Sequence, residues 1–338
     1  MYKEENIQSA IKAGILSEET AAALRSHITE SEPSLVDEEQ FRLVTGFNDI
    51  FVVIACLLLL TSINWVVGNS DPWLGCFASA ATAWGLTEFF VRKRRMALPA
   101  IVLLLAFVSY IFSGSLIIVA TFITDVATYK AFNSPVNYIL PAFVATFAAY
   151  MHWKRFKVPI TIAAGTATLA MGLLALVLFN PSTRPLFSVA CLAAGIAVFI
   201  LAMRWDSLDT RRQTRKADVA FWLHLLASPL IIHSIFSMLG VLNGKVYLYQ
   251  AIAVFMLYIS IGLVSLLIDR RAMMVSALGY VIYVFSSLIN DVGSVSTGFG
   301  ITSFFIGSAL LLLSAYWHPC RRLVLSLAPV NLKKYLPQ

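Results

Sequence analysis

Hydrophobic residues in this chain gather into stretches of about 20, separated by short polar segments. At 1.5 Å per residue, each stretch is long enough to cross a hydrocarbon core of about 30 Å as a helix. Ten stretches can be placed: Asp49 to Val67, Trp73 to Phe90, Ala97 to Ile123, Val136 to Trp153, Pro159 to Phe179, Leu186 to Met203, Val219 to Leu239, Val246 to Ile268, Ala272 to Ile289 and Phe299 to Trp317. They predict an all-α fold: a polytopic membrane helical bundle of about ten transmembrane helices, preceded by a small N-terminal cytoplasmic helical segment. Residues 1–47 form that segment, residues 48–320 the membrane domain and residues 321–338 a basic tail.

Composition agrees, because 59% hydrophobic residues and a mean hydropathy of +0.79 exclude an ordinary soluble domain. Charge adds an orientation. Basic residues recur in every second loop: Arg92 to Arg95; Lys154, Arg155 and Lys157; Arg204, Arg211, Arg212, Arg215 and Lys216; Arg270 and Arg271. The tail adds Arg321, Arg322, Lys333 and Lys334, while the intervening loops hold only Lys130, Arg184 and Lys245. With the four bases of the leading segment, 22 Lys and Arg lie on one side against 3 on the other. The positive-inside rule then predicts that both termini are cytoplasmic.

The leading segment is too acidic and polar for a secretory signal peptide, so the first span is expected to be its own insertion signal. Cys56, Cys76 and Cys191 lie within spans and Cys320 follows the last, which predicts a chain without disulfides. Residues 1–47 carry nine acids against four bases, a charge of −5, and the remainder carries +12. Ile7 and Ile11 are one helical turn apart, and Gly14 is placed to end that helix. Ser17 then caps a second helix, with Glu18 and Glu19 in its first turn and Ala21, Leu24 and Ile28 on one face. Ser34 and Asp37 open a third, running through Phe41 and Val44. So small an apolar face predicts either support from the basic loops or a cytoplasmic protein partner, unless the segment is simply a solvated leader.

The basic turns near Arg95, Arg155, Arg212, Arg270 and Arg321 recur at spacings of roughly 50 to 60 residues, the period of a repeated two-span hairpin. Any chain of hairpins obeying the positive-inside rule would share that period. Gly75, Ser79 and Ala83 in the second stretch, and Gly165 and Gly172 in the fifth, are expected at close helix contacts. Gly240 and Gly244 fit a GxxxG spacing but belong to a turn.

Polar residues inside the stretches are the candidates for chemistry, since each must be paired or face water. Ser276, Tyr280, Tyr283, Ser287 and Asn290 follow one another at helical steps and lead to Asp291. Such a stripe either lines a wet path or bonds neighbouring helices. Tyr110 and Ser113 form a shorter stripe, continued by Thr121, Thr124 and Asp125, and Asp125 with Asp291 falls toward the outer surface. His224 and His233, nine residues apart, occupy opposite faces of a straight helix, which argues against a shared metal. His224 and Ser228 read as a hydrogen-bonded packing pair. Glu88, four residues before Arg92, predicts a helical ion pair. Asp49 suits the start of the first helix. No Walker loop, His-Glu-x-x-His or Gly-x-Ser-x-Gly is present, so no enzyme class, cofactor or nucleic-acid role is expected.

Gly14-Ile-Leu-Ser17-Glu-Glu-Thr-Ala21, together with Asn64-Trp65 at the end of the first stretch, resembles the pattern of an uncharacterised family of bacterial polytopic inner-membrane proteins, a domain of unknown function. The resemblance implies a bacterial inner membrane and supplies no activity. Two functions then compete: a transporter-like permease for a small molecule or lipid precursor, and a non-transporting scaffold or sensor whose acidic head engages a protein. The scarcity of acids and bases within the stretches weighs against the first.

The 22 to 3 split makes the topology testable. Reporter fusions after Arg95, Lys157, Lys216, Arg271 and at Gln338 should read cytoplasmic, and fusions after Lys130 and Lys245 the opposite side. One reversed internal loop would overturn the span count.

Overall fold

A computed structural model describes residues 10–11, 13–23, 47–123, 135–210, 212, 214–241, 247–290, 295–327, 329 and 336. The chain divides into two compact units, Met1–Phe41 and Arg42–Gln338. In the first, Gly14 takes a left-handed φ of +71°. The Ile15 amide reaches the Ala10 carbonyl and the Gly14 amide that of Ile11, the pattern of a glycine-terminated helix end. Ser17 Oγ then accepts the Thr20 amide at 3.1 Å and caps the helix that follows. Ala21 is buried, whereas Ile7, Leu24, Ile28, Ser34 and Asp37 lie outside the described residues.

The second unit is all-helical among the described residues. Its elements are α1 (Phe47–Gly68), α2 (Pro72–Thr87, continued by a π-turn over Glu88–Lys93), α3 (Ala97–Ile118, continued by a π-turn over Val119–Ile123), α4 (Val136–Phe156) and α5 (Ile160–Phe179). They are followed by α6 (Phe187–Ser207), α7 (Arg215–Met238), α8 (Leu248–Ile268), α9 (Ala272–Asn290), α10 (Val295–Ala315) and α11 (Trp317–Leu327). Each apolar stretch therefore falls on a helix. Among the described residues seven of them, α1, α2, α3, α5, α6, α7 and α8, are long and apolar enough to cross a membrane, and an eighth is reached if α10 and α11, bent by 76°, make one broken span. Large side chains such as Leu58, Phe147, Ile200 and Leu311 stay exposed around the unit. An exterior that apolar suits lipid rather than water and is compatible with a multi-pass membrane protein.

Most consecutive helices from α1 to α10 pack against each other, α7 and α8 excepted, and small residues set how closely they approach. A Cβ on Gly75 would sit 2.6 Å from the Asn64 carbonyl oxygen, so α1 and α2 meet backbone to backbone, and Ser79 Oγ donates to the Leu60 carbonyl at 3.1 Å. Gly165 and Gly172 face Ala149 and Ala142 across the α4–α5 seam. Thr146 and Thr168 share a hydroxyl–hydroxyl bond of 2.9 Å on the same seam. The expected small-residue seams are thus present, and Gly195 adds one between α6 and α7. All four cysteines are free.

The turns of four hairpins carry a non-glycine residue in the left-handed region: Arg95 (φ +55°), Lys157 (+56°), Arg212 (+53°) and Asp269 (+57°). They close α2–α3, α4–α5, α6–α7 and α8–α9. The period in the basic residues is therefore matched by a repeated backbone turn. Helix α7 ties the unit together. Its Val219, Leu223 and Ala227 pack with Ala163 of α5 and Val198 and Ala202 of α6, and its Ile232 and Phe236 belong to the core built by α8 and α9.

A methyl group at Gly195 would lie 2.8 Å from Ile231 Cγ1, whereas at Gly262 its nearest neighbour is 3.7 Å away. Gly195→Ala should therefore destabilise by about 1–3 kcal/mol through overpacking. Gly262→Ala should be neutral or stabilising by up to about 1 kcal/mol through helix propensity. Thermal denaturation in detergent measures both, and equal effects would contradict the seam assignment.

Candidate functional site

Acids and bases converge where α6, α7 and the α8–α9 turn meet. Asp206, in the last turn of α6, is buried, and both its carboxylate oxygens are used. Oδ1 accepts Arg270 Nη2 at 2.6 Å, and Oδ2 accepts the Nε2–H of His224 at 2.9 Å. Arg270 also donates to the Ala217 carbonyl at 3.1 Å and lies over the Phe221 ring. Its own carbonyl accepts the Ser265 hydroxyl, which fixes the turn that aims the guanidinium inward.

A second pair adjoins the first. Arg212 Nη1 donates to Asp269 Oδ2 at 3.0 Å, and Nη2 donates to the Ile268 and Asp269 carbonyls at 2.9 and 3.1 Å. Asp269 Oδ1 accepts Trp317 Nε1 at 2.8 Å and lies 3.4 Å from Arg321 Nε. Burial, reinforced by the nearby Arg270 charge, pulls the Arg212 guanidinium below its ordinary pKa, and Asp269 and Asp206 pull it back. Asp209 closes the α6–α7 turn by accepting the Thr214 amide at 2.7 Å and its hydroxyl at 2.5 Å. Thr214 in turn caps α7.

Buried charge is found just beyond the ends of the apolar stretches, where Asp206 and Arg270 are 1% and 3% exposed. Physically, the loop acids draw the loop bases inward. Nine acids lie outside residues 1–47, and four of them, Asp206, Asp209, Asp218 and Asp269, sit in or beside the two turns that supply Arg212 and Arg270. That clustering is the signal the sequence carried. Arg321 and Arg322 belong to α11, so the basic tail begins as packed helix.

The sequence-derived candidates divide. His224 is buried with its ring on Asp206, a partner not expected from sequence, rather than on the Ser228 hydroxyl. Ser228 Oγ donates instead to the His224 carbonyl at 2.7 Å, one turn back along the helix. His233 is exposed and meets Tyr280 Oη at 2.5 Å, so the two histidines have separate partners on separate faces. Tyr280 also stacks on Phe236, which makes it a link between α7 and α9. Tyr283 is 44% exposed, and Ser276 and Ser287 are half-buried. The stripe thus spreads over different surroundings, although its positions share a helical face. Tyr110 and Ser113 are half-buried on α3. Asp125, Asp291, Thr124 and the side chain of Asn290 lie outside the described residues.

Glu88 pairs with Arg92 at 3.2 Å as expected, and also with Arg155 at 2.7 Å, which links the α2–α3 and α4–α5 turns. His152 was not singled out from sequence. It is buried against Trp84, Phe107 and Phe156, with Nδ1 3.4 Å from Thr161 Oγ1. Among the described residues no group of three or more His, Cys, Asp or Glu side chains could hold a metal ion.

Every oxygen of Asp206 and Asp269 already has a protein donor, so the network fits a lock between helix ends better than an ion-binding site. No family model, curated protein or solved structure matches the chain.

Removing one member of a buried pair leaves the other uncompensated. Asp206→Asn or Arg270→Met alone should cost about 3–5 kcal/mol, and the double variant clearly less than the two singles added together. Unfolding in detergent measures all three. Simple additivity would mean that the pair is not energetically coupled.

Proposed function

We propose that the chain is a ten-span protein of a bacterial inner membrane, with both termini cytoplasmic, and that it acts as a transporter-like permease for a lipid precursor. The bases of alternate loops and the helix on each apolar stretch support the topology. The observation that carries the function is the character of the spaces between helices. One cavity of about 450 Å³ lies among α8, α9 and α10, and another of about 460 Å³ lies among α4, α5, α6 and α7. Both have ligand-sized volumes, and both are walled by apolar side chains such as Phe255, Val281 and Leu310 in one and Met171, Leu174 and Leu226 in the other. Such walls suit a hydrocarbon chain and offer nothing to replace the hydration shell of an ion.

A second reading, a non-transporting scaffold or sensor whose acidic residues 1–47 bind a cytoplasmic protein, is favoured by the closed ionic network. That network leaves no charged group of Asp206 or Asp269 open to a passing solute. Movement of a fluorescent phospholipid between leaflets of proteoliposomes, read by dithionite quenching, separates the two. The permease reading expects protein-dependent exchange that slows when Ala309→Trp or Ala170→Trp fills a cavity. Vesicles with protein behaving like empty vesicles would leave the scaffold reading.

A further inference from the structure

Helix α11 turns 76° away from α10 at Trp317. Its surface divides into three sectors. Trp317, Cys320, Val324 and Leu325 pack on the core of the unit, and Arg321 Nε lies 3.4 Å from Asp269 Oδ1. His318, Arg322 and Ser326, one helical turn apart, are polar and exposed. Leu323 and Leu327, also one turn apart, are 65% and 80% exposed. At about 100° per residue, the centres of the three sectors fall roughly a third of the way round the helix from one another. A helix lying on a bundle in water needs two faces, one packed and one polar. A third face, apolar and uncovered, calls for a third neighbour.

The exterior of α10 indicates what that neighbour is. Phe304, Leu311, Leu312 and Tyr316 keep large apolar side chains exposed down to the last residue before the bend, an exterior that suits lipid. With α10 crossing a bilayer, α11 runs close to the membrane plane, and Tyr316 falls at the headgroup level, where aromatic residues with a polar tip gather. From Trp317 to Gln338 the sequence holds four bases and no acid, a charge suited to a layer of phosphates. The helix is also held in place, because Trp317 Nε1 donates to Asp269 at 2.8 Å in its first turn.

We propose that α11 lies along the line where bundle, bilayer and water meet, with Leu323 and Leu327 set into the boundary between headgroups and acyl chains. His318, Arg322 and Ser326 then face water. The partner is the membrane surface itself. This rests on the reading above only in taking α10 as a span, and it requires no transport. One short helix thereby grips two things: its leucine edge holds the lipid, and Trp317 and Arg321 reach Asp269 of the ionic network.

Nitroxide labels on single cysteines test it in the full chain, with Cys56, Cys76, Cys191 and Cys320 replaced by alanine, in vesicles of phosphatidylcholine and phosphatidylglycerol. Labels at Leu323→Cys and Leu327→Cys should collide with oxygen, which concentrates in lipid, in preference to a water-soluble nickel chelate. Their oxygen-to-nickel collision ratio should exceed that at Arg322→Cys and Ser326→Cys several-fold, and Leu311→Cys on α10 supplies the lipid reference. A lipid signal at Leu311→Cys with free nickel access at both leucine positions would overturn the placement and leave the span intact. Low access to both reagents at Leu323→Cys and Leu327→Cys would mean a protein cover, a second copy or residues 1–47, and would overturn it too. Nickel access at Leu311→Cys would instead overturn the membrane reading itself. A photoreactive benzoylphenylalanine in place of Leu323, Leu327 or Ser326 repeats the test with all native cysteines kept. Phospholipid adducts, read by mass spectrometry, are expected at the two leucine positions and not at Ser326, and adducts at neither leucine would sink the proposal.

Discussion

Taking a carboxylate and a guanidinium out of water costs several kcal/mol for each, and only close geometry with further hydrogen bonds offsets it. Asp206 and Arg270 meet that condition, because the carboxylate also receives His224 and the guanidinium also reaches the Ala217 carbonyl. The pair spans 64 residues of sequence and joins the end of α6 to the α8–α9 turn through α7. Asp269 repeats the device with Arg212, Trp317 and Arg321, so α11 is drawn to the same point. An apolar replacement could match such pairs in stability. What the charges add is register, since only one arrangement of the helix ends satisfies both carboxylates.

The turns are built to serve that register. A non-glycine residue in the left-handed region costs about 1–3 kcal/mol and persists where its surroundings hold it. At Arg212 and Asp269 the surroundings are each other: the two left-handed residues form the ion pair, and Arg212 also bonds the carbonyls that the Asp269 turn exposes. At Lys157 the side chain lies over the Trp153 ring, a weaker tether. The same backbone turn is thus used at both places, but only the later turns are tied by buried charge. The earlier hairpins rely on glycine seams and on the exposed Glu88–Arg155 pair, which is worth little in water.

Much of this architecture was legible in the residues. Helix positions follow from the length of each apolar stretch, and the turns from where bases and glycines interrupt it. Gly14 and Ser17 announced a helix end and a helix start, because each does so through its own backbone or hydroxyl. The ionic network was not legible in the same way. A periodicity relates residues three or four apart, whereas Asp206 and Arg270 come together only when hairpins pack. Read along the chain, a base beside an acid in a loop looks solvated. His224 shows the same limit, since its local partner Ser228 is spent on a backbone carbonyl and its true partner lies one helix away. Tyr280 was half legible: its face was predicted, but its bond to His233 depends on how α7 and α9 cross.

Inside a bilayer, apolar side chains gain nothing from leaving lipid for one another, so helices associate through close packing and polar bonds. An apolar crevice between helices is then not squeezed shut as it would be in water, because lipid tails fill it as well as side chains do. It keeps its shape only if something else holds the helices apart and in line. Here the ends are held by Asp206, Arg270, Asp269, Arg212 and Trp317, while a cavity is left open among α8, α9 and α10. Rigidity and space are assigned to different depths of the same bundle. The charges at one end and the cavity beyond them are therefore two parts of one construction, in which Trp317 ties the corner between α10 and α11 to the charged end by donating from its ring edge to Asp269.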